Sequence, residues 1–356
     1  PKDGKSNMDQ SEKKHQRRPR YKGTHPKSFK TKYKEHQPEK YADTIAKVIQ
    51  KGMTPAGMHR PICVTEILDF LNIQPNQICF DATLGYGGHA QEILDKMNFQ
   101  GHLYAVDQDP IELPRTKARL EALGYGADFL TVNHLNFSDI DIVAAESGPF
   151  DFVIADLGVS SMQIDNPDRG FTFKAEGPLD LRMNPTVGIS AADRLKEMSQ
   201  DEIEGMLIEN ADEPYAKAIA SAIFSAIHQG NDIQLTSDLY KIICDALKFT
   251  HISKRDEVIK KSSQRTFQAL RIDVNHEYEV LYTFLEKLPQ VLKPKGKVAI
   301  LTFHSGEDRL VKKSFQYYLR EGIYLEVSDG PIRPSMEEQS SNSRARSAKL
   351  RWAIKA

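Results

Sequence analysis

The chain is 356 residues long, with a formal net charge of -1, 40% apolar and 27% charged side chains, and three cysteines. That length exceeds one minimal domain, and one large domain with an insertion, or two domains, is expected. No apolar run reaches membrane-span length, no signal-peptide pattern is present, and Cys63, Cys79 and Cys244 form no CxxC, so a membrane protein, a disulfide scaffold and a structural metal site are all disfavoured and a reducing cytoplasm is predicted.

The near-zero net charge conceals an asymmetry. Residues 1–40 hold 13 Lys or Arg against 5 Asp or Glu, which leaves 35 against 44 in the remainder. An arm so basic and so poor in apolar residues is expected to be flexible and to suit a polyanionic partner; a solubilising tail is the plainer reading. A short helix is predicted over 41–51, then a GMTPAG turn. His59-Arg60-Pro61 opens a helix with Val64, Ile67, Leu68 and Leu71 on one face.

The next stretch organises the chain. ICFD at 78–81 is a short strand ending in Asp81, followed by a glycine turn at Gly85, Gly87 and Gly88. A helix follows with Ala90, Ile93, Leu94 and Met97 on its buried stripe, then a strand at 102–106 that leads into Asp107. Strand, glycine turn, helix, strand, acid is the first half of a nucleotide-binding unit, in which Asp107 can accept both hydroxyls of a ribose. GYGGHA also satisfies the loose dinucleotide pattern, so a nicotinamide dehydrogenase stays open here.

Further along, a helix is expected near 111–122, a third strand near 128–132, and a fourth, FDFVIAD, at 150–156. The last is nearly all apolar, as a parallel strand covered on both faces should be. From 167 to 270 the pattern is helical throughout. The α/β rhythm resumes with a helix at 273–290, a strand at 297–303 and a helix at 307–320. AKLRWAIK closes the chain as an alternating strand, expected to be antiparallel at the end of the sheet. The prediction is an α/β, Rossmann-like sheet domain (41–166 and 271–356) interrupted by a helical domain (167–270).

In open α/β sheets ligands bind beyond the carboxyl ends of the strands. Those ends carry Asp81, Asp107, Asp156 and His304. Three converging carboxylates would repel a pyrophosphate and attract a cation, which suits S-adenosylmethionine better than NAD. Taken singly, each Asp is about as well read as a turn or helix cap. In the loop DLGVSSMQID, Asp156, Ser160, Ser161 and Gln163 could border a flat base, although capping is the simpler role for either serine alone.

HRPI at 59, FDATLGYGGHA at 80, AVDQDP at 105, DLGVSSMQID at 156, DRGFTF at 168, GPLDLRM at 177, RTFQALRIDVN at 265, FHSGEDRLVK at 303 and NSRARSAKLR at 342 together resemble the bacterial MraW/RsmH family. The resemblance runs in order over 59–356. It implies a class I methyltransferase core with a helical insertion, and S-adenosylmethionine-dependent methylation of a cytidine N4 in 16S ribosomal RNA, as naked RNA or in the 30S subunit. It places Gly87, Gly88, His89, Asp107, Phe137, Asp156 and Gln163 at the donor; for Phe137 alone, a core position would be the blind reading. Three departures stand out. Gly306 replaces the usual Leu, Glu213 remains of a Gly-Glu-Glu, and His228 stands near an expected arginine.

A cytosine amine is a weak nucleophile because its lone pair is delocalised into the ring. Asp156, Ser160 or Ser161 is expected to accept an N–H bond while positioning does most of the work. For RNA contact the candidates are Arg169, Arg182, Arg265 and Arg271, with His304 and Arg309 orienting base or phosphate; solvated or structural roles are the plain alternatives. A non-catalytic ribosome-binding or assembly factor that retains the donor pocket is the rival reading. Oligomeric state is left open, a homodimer included.

Overall fold

The computed structural model describes residues 60–248 and 254–356. The basic arm, the helix expected at 41–51 and His59 lie outside the described residues. Seven strands form one sheet: β1 Gln77–Asp81, β2 Gly101–Asp107, β3 Leu130–His134, β4 Phe150–Asp156, β5 Leu292–Thr302, β6 Tyr324–Val327 and β7 Lys349–Lys355, in the order β3-β2-β1-β4-β5-β7-β6. The first five run parallel, and β7 is antiparallel to both neighbours.

Alternation along the strands makes two apolar layers. On β4, Phe152 and Ile154 enter one and Val153 and Ala155 the other, the period of two expected of a strand buried on both faces. The first layer is completed by helices α1 (Val64–Leu71), α2 (Gly88–Met97) and α3 (Glu112–Ala122), through Ile67, Leu71, Ile93, Leu94 and Leu120. The second is closed by α4 (Ile140–Ser147), α11 (Glu277–Val291) and α12 (Ser305–Arg320), through Ile140, Leu281, Phe284 and Phe315. This is a mixed α/β, Rossmann-like sheet with helices on both faces.

After β4 comes the short α5 (Ser161–Asp165). Helices α6 (Ala191–Glu197), α7 (Gln200–Ala211), α8 (Ala216–His228), α9 (Thr236–Leu247) and α10 (Arg255–Val274) then surround a third apolar cluster that includes Leu195, Leu207, Ile219, Ile243 and Leu270. Ser190 and Ser199 cap α6 and α7 by accepting backbone N–H bonds three residues on.

Two expectations change. The terminal strand β7 is antiparallel, but it lies one strand in from the edge, because β6 pairs outside it. β6 is only four residues long and leaves Leu325 exposed, so its periodicity is too short to read; it is anchored by the buried Tyr324 against Phe315. The helix expected at 273–290 is present but starts four residues later, at Glu277. α10 continues to Val274, and α11 starts at Glu277 after His276 takes a left-handed conformation. Asn275 holds that break by donating to the Leu181 carbonyl at 2.8 Å and accepting from the Met183 N–H at 2.8 Å. Those contacts tie the sheet domain to the loop that leads into the helical insertion.

Candidate active site

The glycine turn between β1 and α2 is bent by positive φ at Gly85 (+52°) and Gly87 (+83°), a region that glycine enters without a Cβ penalty. Three side chains fix it. Asp107 Oδ2 accepts from the Gly85 N–H at 2.7 Å, Thr116 Oγ1 donates to the Gly85 carbonyl at 2.5 Å, and Arg119 donates to the Tyr86 carbonyl. The Arg119 guanidinium also lies 4.2 Å above the Tyr86 ring and donates to Gln91 at 2.8 Å. A Cβ at Gly87 would come within 2.8 Å of Thr116, so α3 packs directly on the turn. Nothing in the sequence marked Thr116 or Arg119, which lie on a helix that reads as an ordinary amphipathic element.

Asp81, Asp107 and Asp156 end β1, β2 and β4, which are neighbours in the sheet, and Asp81 lies within electrostatic range of the other two. Asp81 is buried. Its Oδ1 accepts from the Thr83 N–H at 3.0 Å, while Oδ2 has no partner. Burial, with repulsion from Asp156 and Asp107, pushes its carboxyl up to about 7 against the Thr83 bond and His89. Asp107 is pushed up to about 6, by burial first and by Asp109 next. Asp156 is raised too, by desolvation and by Glu307, against the pull of His89 and Arg344. Its side chain is one-third exposed, and His89 Nδ1 lies 3.4 Å from its Oδ2. An unpartnered buried carboxylate oxygen and a crowded acidic rim fit a cationic group bearing hydroxyls, as S-adenosylmethionine does, and would repel a diphosphate.

The loop after β4 is more structural than its composition suggests. Ser160 caps α5: its hydroxyl accepts from the Gln163 N–H at 3.2 Å, and Gln163 Oε1 accepts from the Ser160 N–H at 2.9 Å. The Gln163 amide then donates to Asp109 at 2.9 Å, deep in the protein. Ser161 accepts from Arg344, which a 3-10 turn at Ser343–Ser347 brings in from near the C-terminus. Phe137 is partly buried, edge to face with Phe284 at 5.0 Å.

Two arginines expected at an RNA surface are internal instead. Arg169 is buried, donating to Asp109 at 2.9 Å and to the Met183 carbonyl at 2.7 Å. Arg182 is buried against both oxygens of Asp180, at 2.6 and 3.0 Å, and against the Gly188 carbonyl. Each holds the loop between α5 and α6, so neither can present a free guanidinium. Arg271 makes a two-point bond to Glu277 at 3.0 and 3.3 Å. Arg265 stays partly exposed, 4.0 Å from Glu213, and Arg309 is exposed.

His304 caps α12, accepting from the Glu307 N–H, and its Nε2 lies 3.1 Å from Glu307 Oε1. Glu307 is the buried acid that sequence reasoning passed over. Burial pushes it up, but His304, Arg271 and the Phe303 N–H together hold it below the usual carboxylate range. Its signal was the His-x-x-Glu spacing of an N-cap and a first-turn acid inside FHSGEDR. Gly306 has a physical reason as well: a Cβ there would lie 1.9 Å from the Tyr278 hydroxyl, which fills the space and donates to the Asn210 carbonyl at 3.3 Å. One further cluster, Cys63, Glu66 and Glu338, has metal-like proximity. There Glu338 accepts the Cys63 N–H at 3.2 Å, and burial pushes the thiol up to about 12, so the group acts as a helix-entry cap with a protonated sulfur.

A parallel sheet with an antiparallel β7, a fixed glycine turn and an acidic rim at the carboxyl edge define a methyltransferase of class I architecture. The chain belongs to the MraW methylase family, whose model matches residues 56–356. It is 67% identical over 349 residues to "Ribosomal RNA small subunit methyltransferase H 2" of Alkaliphilus metalliredigens, covering 98% of this chain and all of that protein. It is 65% identical over 342 residues to "Ribosomal RNA small subunit methyltransferase H 1" of Lachnoclostridium phytofermentans, covering 96% of this chain and 93% of that one. The Gly306 and Glu213 departures sit within these full-length matches. Among the described residues, no helix is long and apolar enough to cross a membrane.

Proposed function

We propose that this protein transfers a methyl group from S-adenosylmethionine to the N4 amine of a cytidine in small-subunit ribosomal RNA. The observation that carries the reading is end-to-end similarity to relatives named for small-subunit rRNA methylation, in a chain whose sheet edge carries a partly open Asp156 on an acidic rim. The donor, when bound, supplies an already activated methyl on a sulfonium. Asp81 and Asp156 stabilise that positive charge, Asp107 receives the ribose hydroxyls, the turn at Gly85–Gly88 lets the ligand approach the backbone, and Phe137 offers an apolar surface to the adenosine.

Asp156 accepts an N–H bond from the cytosine amine, which localises the nitrogen lone pair and directs it toward the methyl carbon. Ser161, held by Arg344, borders the base, while Ser160 and Gln163 shape the loop that carries Asp156. The helical unit 167–270, together with Arg265, Arg309 and the basic arm, faces the RNA, and the target base enters unstacked.

The test is incubation of the protein with methyl-labelled donor and immature small subunits, followed by mass mapping of the modified bases. The expected product is an N4-methylated cytidine whose label disappears with Asp156→Ala. Binding to the particle with no Asp156-dependent label would overturn catalysis in favour of an assembly factor.

A further inference from the structure

The proton that Asp156 would take from the amine has to be accommodated, and His89 stands beside it. His89, at the start of α2, is buried, with one ring nitrogen on each side of a polar contact. Nε2 lies 2.8 Å from the Ile62 carbonyl oxygen. A carbonyl only accepts, so Nε2 carries the hydrogen, and Nδ1 is the nitrogen left to face Asp156 Oδ2 at 3.4 Å. A lone pair opposite a carboxylate oxygen is favourable only with a proton between them. His89 and Asp156 are thus arranged to share one proton, on Nδ1 or on the acid.

We propose that His89 and Asp156 work as a one-proton pair, which a cationic donor empties on binding and which the amine proton refills during methyl transfer. The inference rests on the function proposed above and deepens it. The sulfonium brings a positive charge beside a pair that is neutral with its shared proton and anionic without it, so donor binding favours the form that has lost the proton. Loss of the shared proton leaves Asp156 ionised and ready to accept.

In the transfer step the amine nitrogen forms its bond to the methyl carbon, and the carbon–sulfur bond breaks with its electron pair staying on sulfur. Asp156 takes the N–H proton, and His89 Nδ1 shares it. The charge lost at sulfur reappears on the imidazole a few atoms away, so the acidic rim keeps the same net charge from reactants to products. No other reactant is needed, and the proton leaves when the next donor binds.

The groups facing the pair support this arrangement. Asp81 on β1, Glu307 on α12 and Arg344 from the turn before β7 lie within electrostatic range of Asp156, and the Cys63 thiol before α1 is protonated and carries no charge. His89 acts on the substrate through Asp156, as a proton-relay residue.

Calorimetry in buffers of different ionisation heat tests the pair without turnover. At neutral pH the protein should release protons on binding S-adenosylmethionine and fewer on binding S-adenosylhomocysteine, whose sulfur is uncharged. His89→Gln keeps an N–H able to reach the Ile62 carbonyl but has no basic nitrogen. It should narrow that difference, lower kcat about 10- to 100-fold and flatten the acid limb of its pH profile. Imidazole should partly restore His89→Ala.

Equal proton release with the two ligands, or a pH profile in His89→Gln identical to the parent's, would overturn the proposal. Should the variants fold poorly, nitrogen NMR of the unaltered protein decides. The Nε2–H tautomer, with Nδ1 losing its proton on addition of S-adenosylmethionine and keeping it with S-adenosylhomocysteine, supports the pair, and an Nδ1–H neutral ring refutes it. If the proton difference is found and His89→Gln narrows it but no cytidine is methylated, the pair stands and the substrate assignment falls.

Discussion

Asp81 shows how a ligand site can be built against stability. Its carboxyl, at 3.8 when unperturbed, is pushed up to about 7 in the folded protein. Between those values the folded state binds more protons than the unfolded chain, so stability falls as pH rises through that window. Asp81→Asn should flatten this slope and make the ligand-free protein more stable at about pH 8, by on the order of 1–3 kcal/mol, while weakening donor binding. Urea midpoints measured across the window with and without S-adenosylmethionine check both signs; in the parent protein, stabilisation by the ligand should grow with pH. Gly306 offers a second residue-scale test, because the Tyr278 hydroxyl occupies its Cβ space. Gly306→Ala should destabilise the parent by about 1–3 kcal/mol through overpacking. In a Tyr278→Ala background the same change should stabilise by roughly 0.5–1 kcal/mol, since alanine is the better helix former. A double-mutant cycle in denaturant reads that reversal of sign.

At the scale of elements, the donor turn is held from outside by α3. The Thr116 hydroxyl and the Arg119 guanidinium bind the carbonyls of Gly85 and Tyr86, which leaves the turn's opposite side free for the ligand. Thr116→Val keeps the shape and removes the bond. It should raise the Kd for S-adenosylmethionine about 5-fold, the equivalent of roughly 1 kcal/mol, and Thr116→Ser should behave as the parent. Calorimetric titration separates the two, and equal loss in both would mean that packing of the methyl group, rather than the hydrogen bond, holds the turn. The same logic accounts for Asn275. One side chain bonded to two backbone groups of the 181–183 segment fixes the break between α10 and α11, and sets the junction between sheet and insertion.

For the molecule as a whole, the arginines divide by burial. Arg169 completes an internal network with Asp109 and Gln163 that joins the end of β2 to the loop after β4. Arg169→Ala strands the buried Asp109 charge and should cost roughly 3–5 kcal/mol, seen as a lower denaturant midpoint. Arg309 is exposed, so Arg309→Ala should leave that midpoint unchanged and reduce the slope of log RNA affinity against log salt by roughly 0.7–0.9, one phosphate contact's worth. An unaltered salt slope would remove Arg309 from the RNA-facing surface.

The succession of six of the seven strands along the chain, the glycine turn, the acids at the strand ends and the helical run that interrupts the sheet were legible in the sequence, because each is a local pattern: alternation of period two, a turn that needs positive φ, helical periodicity with caps. Family membership was legible for the same reason, through short motifs in fixed order. What only the tertiary structure decided is which polar groups are already satisfied. Arg169, Arg182, Ser160 and Gln163 look available as residue types, yet Arg169 and Gln163 are bonded to the distant Asp109, Ser160 is used in a cap, and Arg182 is held by Asp180 inside a buried loop. Arg344, Thr116 and the Tyr278–Gly306 fit were silent because their partners also arrive from other elements. β7 settled inside the sheet through its pairing with a four-residue strand too short to carry a signal. Periodicity and turn chemistry are properties of neighbours along the chain, whereas burial and hydrogen-bond satisfaction are properties of neighbours in space, and the folded arrangement alone determines those.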